Sequence, residues 1–150
     1  MTATLHTVGF DVSLRRTGWA ALGYDTGDLA ARGVIISDPG SPLPARLAQI
    51  RSQTVDVLAR FNGSVDVAIE GGFQAPNGDV TRKLAMAWGV VLLAVWCHEN
   101  IEAHVVAPSE VKRLATGKGN ANKDEVTAAA VDRWGPTVDD PDIADACWVA

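Results

Sequence analysis

A chain of 150 residues with a net charge of −5 and a 47% share of hydrophobic residues has the make-up of one globular domain. It is long enough to bury roughly 68–70% of its unfolded surface. The acidic balance excludes a generic nucleic-acid coat, which would be basic, and the amino-terminal residues lack the basic region and apolar run of a signal peptide.

Leu5 to Val12 reads as a strand, Thr17 to Tyr24 as a second and Gly27 to Ser37 as a third, so an antiparallel meander opens the chain. Asp38-Pro39-Gly40-Ser41-Pro42 breaks it. Leu43, Leu47, Ile50, Val57 or Leu58, and Phe61 then recur at helical spacing until Asn62-Gly63. Val65 to Glu70 alternates as a fourth strand and stops at Gly71-Gly72. A helix from about Asp79 to His98 follows. It is apolar nearly all round, so one side is expected on the sheet and the other on a second subunit. Its apolar run, Leu84 to Cys97, is 14 residues long, short of the roughly 20 a membrane span needs, and no membrane association is expected. Ile101 to Ala107 reads as a fifth strand. Helices are expected from Pro108 through Leu114, from Asn122 to about Trp134, and from Asp140-Pro141 onward. The sequence ends at Ala150 inside this last helix, which suggests a chain trimmed within it.

This order predicts an α/β fold: a five-stranded mixed sheet, three antiparallel strands then two parallel, flanked by helices. Open α/β sheets place ligands at the carboxyl ends of their strands, where Asp11 and Glu70 fall. Asp11 alone also reads as a strand-ending turn residue, and Glu70 as a solvated strand end. Asp142 and Asp145 stand three apart on one helix face. Asp142 fits the first turn of a helix capped by Asp140 and started by Pro141. Asp145 is harder to place without a cation, because its neighbours are Ile143, Ala144, Ala146, Cys147 and Trp148. Gathered together, the four carboxylates suit a hard divalent cation and phosphodiester hydrolysis. They account for four of the five net negative charges, and the positive charge that remains is local: Arg15-Arg16, Arg82-Lys83, Lys112-Arg113, Lys118 and Lys123.

Asn122 with Glu125 three residues on forms a capping box. Lys123 therefore sits in a first helical turn, where the helix dipole favours anions, and either binds phosphate there or is a solvated surface lysine. The preceding loop, Thr116 to Asn122, lacks the ending of a P-loop. Cys97 and Cys147 match no zinc spacing and are expected to be small buried hydrophobes. His6, His98 and His104 form no ligand pattern.

Four segments together resemble the RuvC-type Holliday junction resolvases of the RNase H-like superfamily. They are Gly9-Phe10-Asp11 with Thr17-Gly18; Ala68-Ile69-Glu70 followed by Phe73; Val111-Lys112 with Thr116-Gly117, Gly119, Ala121 and Lys123; and Asp142 with Asp145-Ala146. The resemblance implies a cytoplasmic homodimer, in a bacterial or phage-infected cell, that nicks four-way DNA junctions symmetrically. It implies Mg²⁺ or Mn²⁺, two per active site, on Asp11, Glu70, Asp142 and Asp145, with functional lysines at Lys112 and Lys123. Phe73 would stack on unpaired bases, and Arg15, Arg16, Arg82, Lys83, Arg113 and Lys118 would add DNA contacts. The sequence departs from the family in having Val12-Ser13 where Pro-Gly is usual and Gly71-Gly72 after the second acid. These departures bear on junction selectivity and suggest a phage or mobile-element version. The competing readings are a branched-DNA-binding module without cleavage and an actin-like ATPase or sugar kinase. The latter needs two such domains.

Overall fold

The computed structural model describes residues 5–61, 65–72, 76–98 and 101–150. Strands β1 (His6–Asp11), β2 (Arg16–Gly23) and β3 (Leu29–Ile36) form the expected meander. Helix α1 (Leu43–Leu58), β4 (Val65–Glu70), α2 (Gly78–Cys97) and β5 (His104–Val106) follow. The sheet order is β3-β2-β1-β4-β5. β1–β2 and β2–β3 pair antiparallel, and β1–β4 and β4–β5 pair parallel. Helices α3 (Pro108–Thr116), α4 (Lys123–Trp134) and α5 (Pro141–Val149) complete the chain, with a 3₁₀ turn at Pro136–Val138.

Strand alternation sorts the side chains by size. Val8, Phe10, Trp19, Ala21, Val67 and Ile69 face one side, where they pack with Ile50, Val57 and Leu58 of α1 and Ala87, Val91 and Val95 of α2. The opposite face carries Gly9, Gly18, Ala20 and Ala68. It is lined by small residues because α5 lies directly on it. A Cβ on Gly9 would overlap the backbone of Ala146 and Ala150, and one on Gly18 would overlap the Asp142 carbonyl. Glycine at these two places lets the helix backbone approach the strands closely.

The structure modifies two expectations and adds one element. β5 takes up only His104–Val106 of the Ile101–Ala107 stretch, because its ladder pairs with only the last three residues of β4. The 3₁₀ turn is not legible in the sequence; it starts at Pro136, after Gly135 at φ +91°. Cys97 is exposed rather than buried. It is the last residue of α2, beyond the buried positions Ala87, Val91, Ala94 and Val95. Cys147 is buried as expected, and burial pushes its thiol up to about 12.

Helix α2 runs 20 residues, so by length and composition alone it could cross a membrane. One side of it is the core wall just described. The other exposes Val80, Met86, Leu93 and Trp96.

Candidate active site

The carboxyl ends of β1 and β4 lie side by side, with Phe10 paired to Ile69 in the parallel ladder. The next residue on each strand is the acid, Asp11 or Glu70. Both are half-buried. The main chain at Glu70 is held from two directions: the Trp88 indole of α2 donates to the Glu70 carbonyl at 3.1 Å, and the Gly71 N–H donates to the Val106 carbonyl at 2.9 Å.

Helix α5 brings the other two acids. Its cap is the expected one: the Asp140 carboxylate accepts from the Asp142 and Ile143 N–H groups, and Pro141 takes the first turn. Gly18 is the register partner of Asp11 across β1–β2. The close approach of the Asp142 backbone to Gly18 therefore sets α5 beside Asp11 itself.

Lys123 opens α4 behind its Asn122–Glu125 capping box. Its ammonium lies 3.4 Å from Asp142 Oδ1 and 3.3 Å from Asp145 Oδ2. Burial pushes the Lys123 ammonium down, but the attraction of Asp145, Asp11 and Asp142 outweighs this and raises it. Lys123 is therefore not a lysine solvated away from its neighbours: it answers a cluster of acids.

The acids are electrostatically one group. Asp11 is raised well above the usual carboxylate range, first by burial and then by Glu70, Asp145 and Asp142, with Lys123 opposing. Glu70 is raised to about 7 by burial and by Asp145, with Lys123 and Lys112 opposing. Asp145 is raised by burial and by Asp142, against Lys123 and Lys112. Lys112, on α3, is thus within the field of the same site.

These are the conditions under which a divalent ion is favoured. Every donor is a carboxylate oxygen, the ligand type of Mg²⁺, Mn²⁺ and Ca²⁺, and the mutual repulsion is incompletely offset by two lysines. Among the described residues, no three acid, His or Cys side chains already stand at ligand spacing. Two of the acids instead hold the Lys123 ammonium. An ion seated among the acids would therefore compete with that lysine.

The remaining basic residues divide. Arg16 turns inward: its Nε donates to Asp142 Oδ2 at 2.9 Å, and its Nη2 donates to Asp140. Both oxygens of Asp142 are thus matched by protein cations, Arg16 on one side and Lys123 on the other. The sequence groups Arg16 with the DNA contacts and gives no sign of this pairing, which only the fold creates. Arg82 and Lys83 both pair with Asp79, at 2.6 Å each. Lys118 stands 3.9 Å from Glu125. Arg113 and Arg15 are exposed. Phe73 lies outside the described residues.

The sequence profile described as crossover junction endodeoxyribonuclease RuvC matches residues 7–150. The chain belongs to this family. RuvC relatives from Cereibacter sphaeroides and Granulibacter bethesdensis are each 34% identical to it. The first alignment covers 97% of this chain and 87% of the relative, and the second 99% and 84%. A structure of T. thermophilus RuvC in complex with a Holliday junction substrate superposes with a TM-score of 0.81 at 25% identity, covering 97% of this chain and 90% of that one. The yeast mitochondrial Holliday junction resolvase shares the fold, with a TM-score of 0.68 at 12% identity over 97% of this chain and 76% of that one. The five-stranded mixed sheet is therefore the RNase H-like sheet of RuvC. Membership makes the chain a nuclease of DNA recombination and repair, a crossover junction endodeoxyribonuclease.

Proposed function

We propose that this RuvC-family chain resolves four-way DNA junctions as a homodimer, cutting two strands symmetrically and leaving 5′-phosphate and 3′-hydroxyl ends. The observation that carries the reading is the convergence of Asp11, Glu70, Asp142 and Asp145, from two strand ends and one helix, around a single lysine.

The four carboxylates would hold Mg²⁺ or Mn²⁺, two ions per site. Bound there, the ions would lower the pKa of a water and stabilise the departing 3′ oxygen. The chain's own residues do the rest. The sheet places the Asp11 and Glu70 main chains side by side, and Trp88 holds the main chain at Glu70. Arg16 fixes the Asp142 carboxylate from the β2 side. Lys123 and Lys112 supply positive charge against the phosphate, and Lys123 is near enough to the acids to share in proton transfer. Phe73, Arg15, Arg82, Lys83, Arg113 and Lys118 would contact the DNA.

The dimer reading rests on α2. Met86, Gly89, Leu93 and Trp96 fall on one stripe at helical spacing, and all four are exposed. A twofold pair would present two sites to a twofold junction.

A synthetic four-way junction incubated with Mg²⁺ tests the whole. The chain should introduce paired, symmetrically placed nicks that can be religated, and Glu70→Gln or Asp145→Asn should abolish them. Equal rates in either variant would overturn the site assignment, and binding without nicking under any divalent ion would overturn the reaction.

A further inference from the structure

On the α1–α2 side of the sheet a cleft of about 420 Å³ opens between three segments. Ser13, Leu14 and Arg15 come from the β1–β2 turn, Arg46 from the first turns of α1, and Val80, Lys83 and Leu84 from the start of α2. Three of its seven lining residues are cations and none is an acid. In a chain of net charge −5 that is a local reversal.

The cleft is also built. The Arg46 guanidinium is anchored by donating to Ser37 Oγ at 3.0 Å and to the Leu14 carbonyl at 3.3 Å. Two of its five donors are used this way, and Asp38 also lies within its field. Ser13 closes the turn, its hydroxyl donating to the Arg16 carbonyl and accepting from the Arg16 N–H. Arg15 is exposed at the rim. Asp79 holds Lys83 and Arg82 together and lies outside the lining, so the pairing leaves a net positive charge beside the cleft. Leu14, Val80 and Leu84 give the walls an apolar character.

We infer that this cleft takes one unpaired nucleotide of the bound DNA strand, its phosphate against Arg15, Arg46 and Lys83 and its sugar or base against Leu14, Val80 and Leu84. The volume is within the range of small-ligand sites, about 300–1,000 Å³. The mixture of anchored cations and apolar wall fits a nucleotide better than a duplex backbone, which offers phosphates but keeps its bases stacked inside. The location fits as well. Ser13 follows Asp11 by two residues, at most about 7 Å of extended chain. A strand lying on the acids would need only to cross the β1–β2 turn to reach the cleft. The cleft nucleotide would therefore be a near neighbour of the cut one. The inference rests on the proposed junction substrate.

The experiment measures binding of a four-way junction, and of a single-stranded oligonucleotide, to the full chain in chelator across a salt series. The comparison is wild type against R15A/K83A and, as a single-charge control elsewhere on the surface, R133A. Arg133 sits near Thr26 and Gly27, beyond the far end of β2. The double variant should bind both ligands about tenfold more weakly. Its plot of log affinity against log salt should be flatter by about 0.7, the loss of one single-strand phosphate contact. R133A should match wild type. An unchanged slope overturns the inference even if wild type cuts junctions normally. So does a double variant that changes only the sedimentation of the dimer, because the cleft would then belong to the contact between subunits. Failure of wild type to cut would remove the proposed reaction and leave the salt series to decide the cleft.

Discussion

The carbonyl of Asp142 occupies the space where a side chain on Gly18 would begin. Because Gly18 is the register partner of Asp11, this one close contact couples the position of two candidate metal ligands. A methyl group at Gly18 meets the Asp142 carbonyl first and the Asp142 Cβ behind it, and that backbone cannot rotate away as a side chain can. Gly18→Ala should therefore lift the start of α5 off the sheet, costing about 3 kcal/mol, the upper part of the range for overpacking. Junction cleavage should fall with it. Gly78→Ala provides the contrast, since nothing lies within 4 Å of a Cβ there, and it should leave stability unchanged or improve it by up to about 1 kcal/mol. Urea unfolding of the two variants compares them; equal stabilities would mean that α5 can slide without cost.

The sheet, its strand order and the caps of α4 and α5 are legible in the sequence because each rests on local chemistry. Alternation marks Val65 to Glu70, an Asn–Glu pair marks the start of α4, and Asp-Pro marks the start of α5. The four acids are legible for a related reason, since strand ends and an i, i+3 spacing place them whatever the loops do. What is not legible depends on long-range contacts. Nothing near Arg16 says that its guanidinium will meet Asp140 and Asp142, some 125 residues later in the chain. Nothing near Cys97 says that the last turn of an apolar helix will project beyond the core. Gly9 and Gly18 carry the available hint, as small residues on the same strand face as Asp11. Their purpose becomes visible only once α5 lies on them.

Lys123 is the cation of the chain that pairs with both Asp142 and Asp145. The uncharged Lys123→Met keeps the stem, removes the cation beside Asp145 and leaves Asp142 with Arg16 alone. Loss of one oriented charge at a phosphoryl-transfer site costs on the order of 10²-fold in rate. Nicking of a junction under saturating Mg²⁺ should fall by about that factor with the DNA affinity little changed. A variant that cuts at the wild-type rate would return Lys123 to the status of a surface lysine.

Glu70 titrates at about 7 in the fold, against an ordinary 4.5. Between those values the native chain holds a proton that the unfolded chain has released. Raising the pH through this window therefore favours unfolding, and stability in chelator should decline from about pH 4.5 to about pH 7. Asp11 and Asp145, raised for the same reasons, act in the same direction. Glu70→Gln should flatten the decline. A divalent ion prefers the ionised acids, so the gain in melting temperature from added Mg²⁺ should grow over the same window. Thermal melts at half-unit pH steps, with chelator and with Mg²⁺, would show this. A flat profile in wild type would mean that Glu70 is solvated and lies outside the cluster.

The exposed stripe on α2 gives the proposed dimer a specific test. Gly89 stands midway along it, with open space where a Cβ would be, and its neighbours on the stripe are Met86 and Leu93. A glycine inside a helix costs the isolated helix about 0.8–1.0 kcal/mol relative to alanine. The sequence therefore carries a penalty here that the single chain does not explain, and close approach of a second helix would explain it. Gly89→Leu should improve the helix of the monomer while filling the gap between two helices. The expected result is a chain that melts no lower at concentrations where it is monomeric, yet sediments as a monomer where wild type is a dimer. Leu93→Glu should also break association, by placing a charge on the apolar stripe. If wild type sediments as a monomer at every concentration at which it cuts junctions, α2 is not a subunit interface; if Gly89→Leu dimerises as tightly as wild type, the helices do not meet at Gly89.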